Sequence, residues 1–312
     1  MTSSRRERKF PRTQTFCLFI LLLSALLLTP SSAQESQDDD DVVRVDTDLV
    51  VLNATVVDAK GKYAHGLGRS DFKVLEDGRE QAISDFGVEE TPFAAAVLLD
   101  TSGSVEGQMT LARSAAIRFM DQLRPDDVVA VYRFDNEVEQ VQEFSSSHDL
   151  SPVVFGFRAG GMTALNKAVF RAAEDLAQRP EKRRAIVLLS DGFDAGSEKS
   201  AGEALDRALT AGVTIYTVNM ATLEQRRKFG LVGAVTMQNF AAKSGGRYVT
   251  TPGGASLREA FAAIVEELSN QYTISYRPSN RARDGRWRSV EVKLNTQGMN
   301  IRTRKGYRAP KA

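Results

Sequence analysis

Between residues 93 and 270 the apolar positions fall into short unbroken runs that alternate with stripes of helical period. The runs are Ala94–Leu99 (AAAVLL), Val128–Phe134 (VVAVYRF), Ala185–Leu189 (AIVLL) and Val213–Val218 (VTIYTV), with shorter β segments at Val138–Phe144 and Arg247–Thr250. The first stripe spans Met109–Leu123, with apolar residues at 111, 115, 116, 119, 120 and 123. Others follow at Leu165–Ala177, Glu203–Ala211, Val235–Ala242 and Leu257–Leu268. A 3.6-residue period marks a helix with one buried face, and a strand that is apolar throughout is buried on both faces. Their alternation predicts an α/β fold, a doubly wound, mostly parallel, Rossmann-like sheet covered by helices on both sides.

The pattern differs on either side. Residues 47–92 show no helical period. Leu49–Val57 is rich in β-branched residues, and Phe72–Leu75 and Gln81–Phe86 flank Asp77-Gly78, a hairpin signal. In 271–309, Tyr272–Tyr276 and Trp287–Leu294 alternate polar with apolar residues, and Ile301–Tyr307 reads as a last strand. Each flank is too small for a core of its own. Together they can form one β-sandwich with the α/β domain inserted between its halves; two separate small sheets are the alternative.

The N-terminus changes the picture of composition. Arg5, Arg6, Arg8 and Lys9 precede the apolar run Phe16–Leu28, and Ser31 and Ala33 follow. That order is a secretory signal peptide over residues 1–33. The run is short against the roughly 20 residues of a membrane span, although an uncleaved anchor is the alternative. Residues 34–46, with four consecutive aspartates, read as an acidic linker. Cleavage removes Cys17, the only cysteine, so the mature chain has neither disulfides nor thiolate chemistry. It also lowers the 41 Lys and Arg to 36 and the 40 Asp and Glu to 39, a formal charge of −3 that disfavours a nucleic-acid partner.

Three segments place oxygens where core strands end or helices begin. Asp100-Thr101-Ser102-Gly103-Ser104 follows the first run, Ser190-Asp191-Gly192 follows AIVLL, and Gly160-Gly161-Met162-Thr163 opens the helix near Leu165. In open α/β sheets, ligands bind at strand ends near the switch in strand order. Hydroxyl and carboxylate oxygens suit a hard cation such as Mg2+, with Mn2+ or Ca2+ as alternatives. Ser102, Ser104 and Thr163 can supply neutral oxygens, while Asp100 and Asp191 orient them and accept hydrogen bonds from bound waters. Neutral direct ligands leave the ion's charge largely uncompensated, so it attracts an outside carboxylate.

The set DTSGS, the threonine of GGMTAL and the aspartate of LLSDG resembles the D-x-S-x-S…T…D metal-ion-dependent adhesion site of von Willebrand factor A domains. GRSDFKVLEDGRE before the domain and QYTISYRP…GYRAP after it resemble a secreted bacterial VWFA-related family first catalogued in Acidobacteria. The resemblance implies metal-dependent protein binding, with a partner that presents Asp or Glu to the ion. One departure is Met162, which stands where a glycine commonly meets the threonine.

Each of these residues also has a plainer role open to it. The Asp100–Ser104 oxygens can cap a helix and shape a turn, and Thr163 can be a helix N-cap. Asp194 reads as a loop residue, and Glu106, Met162 and Phe193 as either a partner-binding rim or ordinary loop positions. His65 and His148 read as surface histidines. Asn53-Ala54-Thr55 is a formal glycosylation sequon, but it lies in a strand. The expected function is a secreted or periplasmic adhesion-type module. The alternatives are an envelope assembly protein with a structural metal and a metal-dependent hydrolase; no histidine in the three segments offers a general base for the last.

Overall fold

The structure is a computed structural model that describes residues 49–88, 91–147, 149, 156, 158–229, 231–251 and 254–311. Residues 1–33 and 34–46, read from the sequence as a signal peptide and an acidic linker, and His148 lie outside the described residues.

The central sheet contains β5 (Phe93–Asp100), β6 (Val128–Phe134), β7 (Val138–Ser145), β8 (Arg183–Ser190), β9 (Val213–Asn219) and β10 (Tyr248–Thr250). Their spatial order is β10-β9-β8-β5-β6-β7, parallel except for the edge strand β7. The alternation along β5 divides the core. Phe93, Ala95, Val97 and Leu99 pack under α1 (Met109–Asp121) and α6 (Ala255–Ser269), whereas Ala94, Ala96 and Leu98 face α2 (Leu165–Ala177), α3 (Ala201–Thr210) and α5 (Val232–Ser244). A short helix that the apolar pattern did not reveal, α4 (Leu223–Phe229), stands between β9 and α5. The doubly wound architecture expected from the sequence is present.

The flanks form two antiparallel sheets. One orders β13 (Met299–Arg302), β1 (Val50–Asp58), β11 (Gln271–Tyr276) and β4 (Ile83–Gly87). The other orders β14 (Gly306–Arg308), β12 (Trp287–Leu294), β2 (Phe72–Glu76) and β3 (Arg79–Gln81). Each sheet mixes strands from before and after the α/β insertion. Leu52, Ala54, Tyr272 and Ile274 of one share a core with Phe72, Val74, Val290 and Val292 of the other, which makes a sandwich. Asp77 and Gly78, both at positive φ, make the tight β2–β3 turn, as an Asp-Gly hairpin requires. Asn53 is buried in β1, at 8% exposure, which leaves the sequon no room for a glycan in the folded chain.

Two single strands read from the sequence are each divided between sheets. Gln81–Phe86 breaks at Ala82, where the chain leaves β3 for β4 in the opposite sheet. Ile301–Tyr307 breaks at Thr303–Lys305, because these residues dock on the α/β part. Lys305 N–H donates to Lys243 O at 3.0 Å, Arg304 Nη1 to Leu209 O at 2.7 Å and Arg302 Nε to Gly245 O at 3.0 Å. The two arginines thereby bond to carbonyls at the C-terminal ends of α3 and α5, where the helix dipole favours a cation.

A buried glutamate joins the same two parts. Glu267, on α6 and fully buried, accepts from Thr55 of β1 at 3.2 Å, from Tyr216 of β9 at 3.1 Å and from Arg302 of β13. Its other oxygen lies 3.1 Å from Arg247 Nη2, an ion pair without hydrogen-bond alignment. Among the described residues no helix is long and apolar enough to cross a membrane.

Candidate metal centre

Chain order runs from β5 outward through β6 and β7, then returns to the other side of β5 with β8, β9 and β10. The switch point therefore lies between β5 and β8, where Asp100 and Ser190 end their strands. Ser190 Oγ donates to Asp100 Oδ2 at 2.5 Å and accepts from Gly192 N at 2.9 Å. Asp100 Oδ1 accepts from Ser102 N at 2.9 Å, which folds the following loop back over the strand end.

Asp100 is fully buried, and burial pushes its carboxyl up to about 7 against the pull of its hydrogen bonds from Ser102 and Ser190. The nearby charge acting on it is Asp191, which raises it further. Two acids thus lie close enough to repel each other, and their hydrogen-bond partners are hydroxyls and amides.

The second loop is tied to the first. Gly160 N donates to Thr101 O at 2.9 Å, and Gly103 N to Gly161 O at 3.4 Å. Gly161 turns at φ 74°, and a Cβ there would meet the Asn136 amide at 3.0 Å. Asn136 Oδ1 in turn accepts from Met162 N at 2.6 Å, so this loop is shaped from the β6–β7 turn. The third loop is tied to the second: Ala195 N and Gly196 N both donate to Thr163 O, at 3.0 and 2.9 Å.

Thr163 is not the cap of α2. The N-cap position is Ala164, without a side-chain bond. Asp194 does that work from the third loop, accepting from Asn166 N at 2.8 Å and Ser197 N at 3.0 Å. The buried Thr163 hydroxyl is left available at the head of the helix.

Ser102 Oγ and Ser104 Oγ stand 3.1 Å apart. An octahedral ion with bonds of about 2.1 Å sets adjacent ligand oxygens about 3 Å apart, so the two hydroxyls have the spacing of neighbouring vertices. Among the described residues no three His, Cys, Asp or Glu side chains gather as a metal site, and an ion here must be held largely by hydroxyls. The donor set fits a hard divalent cation on both counts. Glu106, Met162 and Phe193 are exposed on the three loops, Met162 at 56% and Phe193 at 39%.

Three further residues belong to the site. Ser190 fixes Asp100, Asn136 fixes the glycine loop, and Gln225 of α4 reaches in from outside. Gln225 Nε2 donates to Ser104 O at 2.6 Å and to Asp191 Oδ2 at 3.3 Å, while Asp191 Oδ1 accepts from Phe193 N at 3.1 Å. Ser190 was readable beside Asp191 in LLSDG. Asn136 and Gln225 carry no sequence signal, because both act through tertiary contacts.

The sequence profile of the von Willebrand factor type A domain matches residues 96–261. The chain belongs to that family. The chain is also similar to the uncharacterized protein sll0103 of Synechocystis sp. (strain ATCC 27184 / PCC 6803 / Kazusa), at 30% identity over 139 residues; the match covers 42% of this chain and 32% of that relative. Part of the chain is also similar to two solved structures. The vWF domain of the type V pili tip protein Mfa5 from Porphyromonas gingivalis has a TM-score of 0.48 and 13% identity, covering 56% of this chain and 94% of its own. Proximal thread matrix protein 1 from the mussel byssus, with a zinc-occupied MIDAS motif, has a TM-score of 0.48 and 19% identity, covering 62% and 49%.

Proposed function

We propose that this type A domain binds a protein partner through a divalent cation. Ser102, Ser104 and Thr163 hold the ion, Asp100 and Asp191 balance its charge, and one coordination position is left for an Asp or Glu of the partner. Mg2+ suits this oxygen set, and Mn2+ or Ca2+ can replace it. The observation that carries the reading is a pair of hydroxyls at cis-ligand spacing, 3.1 Å, over a buried carboxylate whose charged neighbour is another carboxylate. Such a pair of acids costs stability unless a cation compensates it.

The ion supplies electrophilic attraction for a carboxylate, and the chain's own residues do the rest. Hydroxyl ligands leave its charge largely uncancelled. The backbone ties between the loops hold the donors in place before a partner arrives, which lowers the ordering cost of binding. Exposed Glu106, Met162 and Phe193 border the opening and give the partner surface its shape.

The order of basic residues, apolar run and small residues at the N-terminus supports export, to the periplasm or beyond the cell. The test is capture from envelope and extracellular extracts by the immobilised mature chain. Partners retained in Mg2+, released by chelator and absent with Asp100→Ala support the reading. Retention indifferent to both contradicts it.

A further inference from the structure

Gln225 lies outside the three loops that form the candidate centre, yet its side chain bonds to both the first and the third of them. It occupies the third position of α4, after Thr222. Gln225 N donates to Thr222 Oγ1 at 3.2 Å, and Thr222 N donates to Gln225 Oε1 at 2.7 Å, a reciprocal capping box. This box settles the amide's orientation. Its oxygen faces a backbone N–H, which only donates, so its nitrogen faces the two acceptors, Ser104 O and Asp191 Oδ2. Reversing the amide would set oxygen against oxygen on one side and two donors together on the other.

Both acceptors belong to the proposed centre. Ser104 O is the carbonyl of a proposed ligand residue, and Asp191 is the acid of the third loop. With Phe193 N on Oδ1 and Gln225 on Oδ2, the Asp191 carboxylate is held at both oxygens, and each keeps a second lone pair for a bound water. A cavity of about 20 Å³ adjoins this pair, lined by Asp191, Phe193, Asn219, Gln225 and Gly233, and is of a size for a single water. α4 itself is short, and through Gln225 it is bonded to both the first and the third loop.

We infer that Gln225 is a positioning residue of the metal centre: its amide fixes Asp191 against the Ser102–Ser104 loop and thereby sets the affinity for the ion. This rests on the metal-binding reading above. Partners that orient a metal site's acids contribute on the order of 10- to 100-fold to affinity.

The test is Mn2+ titration calorimetry on the wild-type mature chain, Gln225→Met and Thr222→Ala, with melting of each metal-free protein as the control for folding. Gln225→Met keeps the side-chain length and removes both donors. Thr222→Ala weakens the helix cap and leaves the amide's bonds to Ser104 and Asp191. The expected result is a loss of about tenfold or more in Mn2+ affinity for Gln225→Met, with Thr222→Ala within about threefold of wild type. Wild-type affinity in Gln225→Met, or equal losses in both variants, overturns the role of the amide while leaving the metal site standing. A wild-type chain that binds no Mn2+ removes the metal reading, and this inference with it.

Discussion

Ser190 donates its hydroxyl to Asp100 across the seam between two neighbouring parallel strands, Oγ to Oδ2 at 2.5 Å. The bond closes the sheet at its switch point and holds a buried acid whose affinity for a proton is raised to about 7. The unfolded chain releases that proton near 3.9. Between these values the folded state binds the extra proton, so the stability of the metal-free protein falls as pH rises from about 4 to 7. Three pH units of difference correspond to at most about 4 kcal/mol. Urea melts of the chelated protein at pH 5 and pH 8 are expected to show lower stability at pH 8, and Asp100→Asn is expected to flatten the difference. A divalent cation added at pH 8 should restore stability to the wild type.

Gly233 and Gly192 meet backbone to backbone. A Cβ on Gly233 would stand 2.3 Å from Gly192 O, so no other residue fits where α5 begins. Gly192 follows Asp191 directly, and any displacement there moves the third loop. Gly233→Ala is expected to cost about 1–3 kcal/mol of stability and to lower Mn2+ affinity as well. Thermal melting and calorimetry read the two effects separately.

Glu267 links α6 to β1, β9 and β13 in one buried cluster. Removing its charge leaves Arg302 half-satisfied between the sandwich and the α/β part. Glu267→Gln is expected to destabilise the chain by about 3–5 kcal/mol. The single tryptophan, Trp287, sits in the sandwich, whereas the six α-helices among the described residues lie in the α/β part. In the wild type, tryptophan fluorescence and helical circular dichroism are therefore expected to change at the same urea concentration, because the two parts are bonded into one unit. Separate transitions would show that the shared cluster does not couple them.

The parts of this molecule that were legible in the sequence are those in which local pattern and final environment agree. Ala94–Leu99 and Ala185–Leu189 are buried on both faces, so their composition alone identifies parallel strands. Asp77-Gly78 needs two positive φ angles and therefore reads as a turn. The hydroxyls of DTSGS are conspicuous because they follow a core strand. The illegible parts depend on partners distant along the chain. LEQRRKF of α4 has too few apolar residues for a stripe, and its Gln225 bonds to Ser104 and Asp191, both distant along the chain. Ile301–Tyr307 alternates like one strand, but Arg302, Arg304 and Lys305 are drawn to the ends of α3 and α5. Asn136 and Gln225 are polar residues with no periodic or motif context, and only the fold shows what they hold.

The most direct measurement is a Mn2+ titration of the mature, chelator-treated chain, followed by calorimetry and by the electron paramagnetic resonance signal of free Mn2+. The expected result is one bound ion per chain, displaced by Mg2+, with affinity reduced by about tenfold or more in Ser102→Ala and in Thr163→Ala while both variants keep wild-type circular dichroism. An absence of binding, or binding that both variants retain at full strength, would contradict the convergence of these loops on one cation.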